Sequence, residues 1–255
     1  MNLQQKDKLE SIIREGYIFH FSDYFTKGAD IFKKDIGSFV GYALLYIIIS
    51  MVLGVIPVLG SIASILTTYP LMMGFVIVAH KINCNETFEF GDFFKGFDFF
   101  VPLFLQYLVI ALISCALLIP LAIYAYLSLD LIDPNIFAIA AEIEKLAFPL
   151  LFLMVPIFYL AVSWRWAPYF IVFYQMPFWE AMETSRRMVG RKFWPLLGFL
   201  LLVGLLIASG AIAFIVGIVI TIPLAMCVDY AAFADVTKLM EEGDMDMDLT
   251  EHFVE

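Results

Sequence analysis

One arginine interrupts an apolar stretch in the second half of the chain. Arg165 stands between Trp164 and Trp166, and a charge at membrane depth is costly unless it faces a partner or a cavity. Such a residue could bind a lipid phosphate or an anionic substrate. The alternative, which we favour, is structural: the guanidinium extends to the membrane interface and pairs with Asp229 or Asp235 near the end of the last apolar run.

Basic residues are also concentrated just before two apolar runs. The candidate contacts for anionic lipid headgroups are Arg186, Arg187, Arg191 and Lys192, with Lys33 and Lys34 in the first part of the chain. Apolar residues recur at helical spacing in the same segments, which is typical of a helix lying on a membrane surface. Each Lys or Arg near an anionic surface adds about 1 kcal/mol to binding. The pattern therefore predicts an interaction with anionic lipids.

No group of residues in the sequence predicts catalysis, a cofactor or a metal ion. Cys84, Cys115 and Cys227 form no CxxC pair, and two of them lie in apolar runs. His80 stands beside Lys81 without an acid spaced to orient it, so a structural role is favoured over proton transfer. No nucleophile, base and orienting group occur together. We expect a protein that is not an enzyme.

Long runs without charge must position these residues in a bilayer. No Asp, Glu, Lys or Arg occurs from 36 to 79, from 99 to 129 or from 193 to 228. A helix needs about 20 apolar residues to cross a bilayer, so the first and last runs can each hold two crossings. Hydrophobic residues make up 62% of the chain. We predict an all-α transmembrane bundle with six crossings, at 39–56, 62–80, 101–127, 146–169, 194–209 and 211–234.

The distribution of Lys and Arg predicts the orientation of these crossings. With the N-terminus inside, only Lys145 of the 15 basic residues falls on the outer side. The opposite orientation would place nearly all of them wrongly. Because basic residues in short loops are retained in the cytoplasm, both termini are predicted to be cytoplasmic.

Several segments of the sequence resemble one another. FKKDIGSF at Phe32 and SRRMVGRK at Ser185 align at an offset of 153, and FSDYFTKG at Phe21 resembles FGDFFKG at Phe90. We predict three pseudo-repeats, each an amphipathic helix on the inner leaflet followed by a helical hairpin. The predicted repeats span residues 22–82, 91–173 and 177–235.

The sequence from Arg165 to Val203 resembles the repeated unit of a broad group of uncharacterised bacterial integral membrane proteins. These are related to the membrane domain of glycerophosphodiester phosphodiesterases. The resemblance is carried by the arginine, by EAMETS at Glu180 and by FW at Phe193. It implies about six crossings and a bacterial cytoplasmic membrane. It does not imply phosphodiesterase activity, because the catalytic domain of those enzymes has no counterpart in this chain.

Three domains are predicted: a cytoplasmic N-terminal segment at 1–21, a membrane domain at 22–235 and an acidic cytoplasmic tail at 236–255. Seven of the 25 acidic residues lie from Glu241 to Glu255, so we expect that tail to be solvated and disordered. These tail residues contribute much of the net charge of −10, and we expect no nucleic-acid partner.

The function favoured by these features is a non-catalytic, membrane-organising or lipid-interacting module, because the amphipathic segments recur three times. Two alternatives stay open. One is a transporter of a lipid or small molecule with Arg165 at its inner mouth. The other is an accessory subunit of a membrane complex, whose acidic tail binds a cytosolic partner. Small residues four apart on the last hairpin, such as Gly204 and Ala208, allow close packing within the bundle or in a homo-oligomer.

Overall fold

The computed structural model describes residues 3–128, 136–212 and 214–239. Within these ranges it describes the backbone but not the side chains of 3, 125, 127–128, 136–148 and 214–216. These residues form ten α-helices and one 3-10 helix. In chain order they are α1 Leu3–Glu15, α2 Phe21–Lys34, α3 Ile36–Val55, α4 Leu59–Asn83, the 3-10 helix Phe90–Phe99, α5 Phe100–Ser128, α6 Ile136–Ser163, α7 Ala167–Tyr174, α8 Phe178–Arg191, α9 Phe193–Ile212 and α10 Phe214–Thr237.

Six segments among the described residues are long and apolar enough to cross a membrane. They are Ile36–Val55, Leu59–Asn83, Phe90–Tyr124, Pro149–Tyr174, Phe193–Ile212 and Gly217–Thr237. The predictions of an all-α protein and of six apolar segments are confirmed. The orientation of the segments and their relation as pseudo-repeats stay predictions.

The fourth crossing differs from the prediction of one helix over 146–169. In the structure α6 begins at Ile136, ten residues earlier, and ends at Ser163. The chain then turns over residues 164–166 and continues as α7. Pro168 fits the first turn of α7, because the backbone N–H that proline lacks has no helical partner there. Arg165 therefore lies in a break between two helices.

A short helix precedes each of the three hairpins, α3–α4, α5–α6 and α9–α10. These short helices are α2, the 3-10 helix and α8, so the second is not an α-helix. The 3-10 helix packs closely on α4, where Gly96 lies against the carbonyl oxygen of Pro70 and Gly74 lies against that of Phe93. Close backbone approach of this kind needs glycine, because a Cβ atom would overlap the carbonyl.

Buried residues are concentrated at one end of the bundle. All residues of α7 are buried, as are most residues in the C-terminal halves of α4 and α10. The opposite ends of α3, α5 and α9 expose large apolar side chains, among them Val55, Tyr126 and Ile212. Apolar surface of this extent suits contact with lipid chains. The packed end carries the basic residues, and so is the inner end in the predicted orientation.

The apolar faces of α2 and α8 are covered by the rest of the protein. Helix α2 buries Tyr24 and Gly28, and a Cβ atom at Gly28 would lie 2.6 Å from backbone atoms of Val228 in α10. Helix α8 buries Met182 and Met188 and contacts α5, α6 and α7. The sequence placed these faces in the inner leaflet. An amphipathic pattern fits a helix that packs on lipid or on protein, and in this structure protein covers both apolar faces.

The boundaries of the predicted domains differ from the extent of the packed bundle. Leu9, Ile12 and Ile13 of α1 are buried in the main core, although they precede residue 22. At the other end, Val236 and Leu239 belong to the same core. The rest of the predicted acidic tail, 240–255, lies outside the described residues.

Candidate functional site

Arg165 forms an ion pair with a fully buried carboxylate. Its guanidinium nitrogen Nη2 lies 2.6 Å from Oδ2 of Asp229 in α10. The hydroxyl of Tyr169 in α7 donates a hydrogen bond to the same oxygen at 2.7 Å. The Asp229 side chain is 0% exposed and that of Arg165 is 31% exposed. The break before α7 places the guanidinium where it can reach α10.

The ion pair lies well inside the apolar segments. Asp229 is near the middle of the segment Gly217–Thr237. Eight residues of helix separate it from Thr237, which corresponds to about 12 Å along the helix axis. A charge at that depth normally marks a functional site or is matched by a partner. Asp229 has both a cation and a phenol as partners.

Four buried polar atoms in the described part of the chain have no hydrogen-bond partner. They are Oδ1 of Asp229, Oε1 of Gln106, Nε1 of Trp166 and Oγ of Ser163. Buried polar groups in proteins are normally satisfied by protein, water or a ligand. Ser163 and Trp166 lie at the break between α6 and α7. Asp229 is the ion-pair partner of Arg165, which lies in that break. The polar surroundings of Arg165 therefore have unused hydrogen-bonding capacity.

Asp235, the second predicted partner of Arg165, makes other contacts. Its Oδ2 accepts a hydrogen bond from the Tyr24 hydroxyl at 2.8 Å, and Nδ1 of His20 lies 3.8 Å from that oxygen. Burial raises the pKa of the Tyr24 phenol well above its ordinary value. Asp235 thus ties α2 to the end of α10, while Asp229 is the partner of Arg165.

Two of the four predicted basic residues around α8 are neutralised by acids. Arg187 makes a bidentate pair with Glu10 of α1, with distances of 2.6 and 2.7 Å. Arg186 pairs in the same manner with Glu183 at 2.8 and 2.6 Å. The hydrogen bonds from these arginines lower the pKa of both glutamates. Much of the positive charge on α8 is therefore already balanced within the protein.

The two predicted basic residues of α2 are also engaged. Lys33 lies 3.8 Å from Asp30 one turn earlier. Lys34 donates hydrogen bonds to the carbonyl oxygen of Ile82 and to Oδ1 of Asn85. These contacts hold the end of α2 beside the end of α4.

Arg191 and Lys192 remain as exposed cations without an acidic partner among the described residues. They connect α8 to α9. Trp194 follows them and is 77% exposed, and its ring contacts that of Phe193. Trp179, at the start of α8, is 61% exposed. Tryptophan is enriched at the level of lipid headgroups, so this junction combines cations with interfacial aromatic residues.

Helix α1 and the cleft that it forms with α8 were not predicted from the sequence. The spacing of Leu9, Ile12 and Ile13, at i, i+3 and i+4, is the pattern that could have predicted α1. The cleft has a volume of about 480 Å³. It is lined by Asp7, Glu10, Ser11, Ile13, Arg14, Arg187 and Arg191.

His80 is buried and contacts another polar side chain of the core. Its Nδ1 lies 2.8 Å from the Tyr230 hydroxyl, to which Asn83 also donates a hydrogen bond. The sulfur of Cys84 lies 3.6 Å from Nε2 of the same imidazole. Burial raises the pKa of Cys84 to about 11, so the thiol is protonated at neutral pH. No three potential metal ligands converge within the described residues.

The fold and the site define an α-helical membrane protein with an ion pair buried inside its apolar segments. No protein-family model, curated protein or solved structure matches the chain. The resemblance to the membrane domain of glycerophosphodiester phosphodiesterases therefore stays a prediction. The function has to be inferred from geometry.

Proposed function

We propose that this chain is a non-catalytic, lipid-interacting protein of the bacterial cytoplasmic membrane. It binds anionic headgroups of the inner leaflet at the junction of α8 and α9. The observation that carries the proposal is the pair Arg191 and Lys192, which has no acidic partner among the described residues, beside the exposed indole of Trp194. Both termini are cytoplasmic in this proposal.

Among the predicted lipid contacts, the ion pairs and hydrogen bonds of the other basic residues leave the junction of α8 and α9 as the lipid-binding surface. Arg186 forms an ion pair with Glu183, and Arg187 forms one with Glu10. An arginine that donates two hydrogen bonds to a carboxylate attracts a phosphate only weakly. No acid among the described residues balances the charges of Arg191 and Lys192. The positive-inside rule predicts that they lie at the inner leaflet, which contains anionic lipids.

Tryptophan quenching by brominated lipids tests the proposal. The protein is reconstituted in phosphatidylcholine with increasing amounts of brominated phosphatidylglycerol or brominated phosphatidylcholine. Because Trp164 and Trp166 are buried, quenching reports mainly on Trp179 and Trp194. We expect a preference for the anionic lipid. Lys192→Gln should reduce it about fivefold, because one cation near the surface is worth about 1 kcal/mol.

Lys27→Gln is the matched control. Lys27 is also an exposed lysine, but it lies on α2 and not at the junction of α8 and α9. The control removes the same charge and should leave the lipid preference unchanged. The proposal is wrong if the wild-type protein shows no preference, or if the control loses as much as Lys192→Gln.

The buried pair of Arg165 and Asp229 favours a second candidate, transport of a lipid or small molecule. Transporters place ionisable residues inside their apolar segments, and Oδ1 of Asp229 has no partner among the described residues. Equal lipid preference in wild type and Lys192→Gln would leave this candidate the better supported. The third idea, an accessory subunit docked through its tail, depends on residues 240–255, outside the described residues.

A further inference from the structure

Helices α1 and α8 are joined by two charged pairs, each of which is called a rung. The first rung is Lys6 with Glu180, at 3.0 Å. The second is Glu10 with Arg187, at 2.6 Å. Four residues after the second rung, on both helices, stand Arg14 and Arg191. Four residues are about one helical turn. Arg14 and Arg191 both line the cleft between the helices, and this pair of arginines is called the third rung.

The third rung lacks the acid that balances the first two. Arg191 has no acidic partner among the described residues. Arg14 contacts only its neighbour Glu15, at 3.4 Å, with both side chains largely exposed. Such exposed pairs contribute little. Both arginines line the same cleft, where their like charges repel each other.

The two carboxylates in the cleft do not replace the missing acid. Both oxygens of Glu10 are bound by Arg187. Asp7 also lines the cleft, but it lies about two helical turns from Arg14. The charged residues that line the cleft are two carboxylates and three arginines, so their net charge is +1.

We infer that the cleft between α1 and α8 is a binding site for the phosphate group of an anionic ligand, held between Arg14 and Arg191. Guanidinium groups match phosphate oxygens in charge and in their planar arrangement of donors. A bound phosphate would supply the missing acid of the third rung and link α1 to α8. This inference goes beyond the proposed function, because it depends on Arg14 and on a cleft instead of a bilayer surface.

Thermal unfolding in a neutral detergent tests the inference. At constant ionic strength, replacing chloride by inorganic phosphate at about ten times its dissociation constant should raise the unfolding midpoint by about 3 °C. Arg14→Gln and Arg191→Gln should each abolish this rise. Arg186→Gln is the control on the same helix: it removes an arginine paired with Glu183 outside the cleft, and should keep the rise.

Reversing one charge gives a test that does not depend on loss of stability. Arg14→Glu places a carboxylate opposite Arg191, in the position that the phosphate is inferred to take. This variant should unfold at a higher temperature than the wild type in chloride, and should not respond to phosphate. A variant that is less stable than wild type in chloride would contradict the proposed register of the two helices.

A second arm identifies the source of the phosphate. Short-chain phosphatidylglycerol is compared with inorganic phosphate at equal concentrations. A larger shift with the lipid assigns the site to a headgroup, and an equal or smaller one assigns it to a free phosphate compound. The inference is overturned if neither probe shifts the wild type, or if Arg14→Gln and Arg191→Gln respond as the wild type does. The quenching experiment above can fail without changing these results, since no bilayer is present.

Discussion

Asp229 is the residue whose environment is most demanding, because it is a fully buried carboxylate within an apolar segment. Removing a charge from water costs several kcal/mol, and the contacts of the ion must offset this cost. Arg165 supplies a charge at 2.6 Å and Tyr169 a hydrogen bond at 2.7 Å. The ion pair with Arg165 thus allows Asp229 to be buried but adds little net stability.

This reasoning predicts strong coupling between the two charges. Arg165→Gln leaves Asp229 buried without its cation and should lower the free energy of unfolding by about 3–5 kcal/mol. Adding Asp229→Asn should recover a large part of that loss, because the double variant buries no unpaired charge. Unfolding midpoints of the wild type, both single variants and the double variant give the coupling energy.

An exposed arginine–carboxylate pair is the control for this comparison. Arg186 and Glu183 are in bidentate contact, and about half of each side chain is exposed. Arg186→Gln should therefore cost less than about 1 kcal/mol. Additive losses for Arg165 and Asp229, with no coupling, would show that the buried pair does not act as a unit.

At the scale of elements, glycines allow the short helices to pack against the crossings. The 3-10 helix contains both a tightly packed glycine and an open one. A Cβ atom at Gly96 would meet the carbonyl of Pro70, whereas at Gly91 it would meet nothing within 4 Å. The same chemical change therefore has different consequences at two positions of one helix.

Gly96→Ala should destabilise the protein by about 1–3 kcal/mol, because the added methyl group forces the 3-10 helix away from α4. Gly91→Ala, the control, should change the free energy of unfolding by less than about 0.5 kcal/mol. Thermal unfolding in detergent measures both. If Gly96→Ala melts with the wild type, the close approach at Pro70 is not present in the protein.

The sequence predicts which elements exist better than it predicts what they touch. The pattern of α8 predicted a helix with apolar residues such as Met182 and Met188 on one face, and in the structure α8 is a helix in which both are buried. It could not show whether lipid or protein covers that face, because burial in either one favours the same helical spacing of apolar residues. Glycine positions are similarly ambiguous. The sequence allows Gly204 to pack either within the bundle or in a homo-oligomer; in the structure the close contact of α9 with α10 is at Gly210, and a Cβ atom at Gly204 would meet nothing within 4 Å.

At the scale of the whole molecule, apolar runs and basic loops can be read from the sequence, while charge pairing can be read only in part. Six long segments follow from the length of their apolar runs. Asp229 could be named as one of two partners of Arg165, because both carboxylates lie near the end of the last run. Glu10 and Arg187 are 177 residues apart. Their pairing depends on the position of α1, which packs Leu9 and Ile12 into the core.

The orientation of the whole molecule can be measured with two cysteine variants. Val58 is exposed in the turn between α3 and α4, and Lys192 is exposed between α8 and α9. In intact bacterial cells a membrane-impermeant maleimide should label Val58→Cys and should reach Lys192→Cys only after the membrane is opened. The unsubstituted chain, with its three native cysteines, gives the background. Labelling of Lys192→Cys in intact cells would place the α8–α9 junction outside and remove the inner leaflet as its lipid partner.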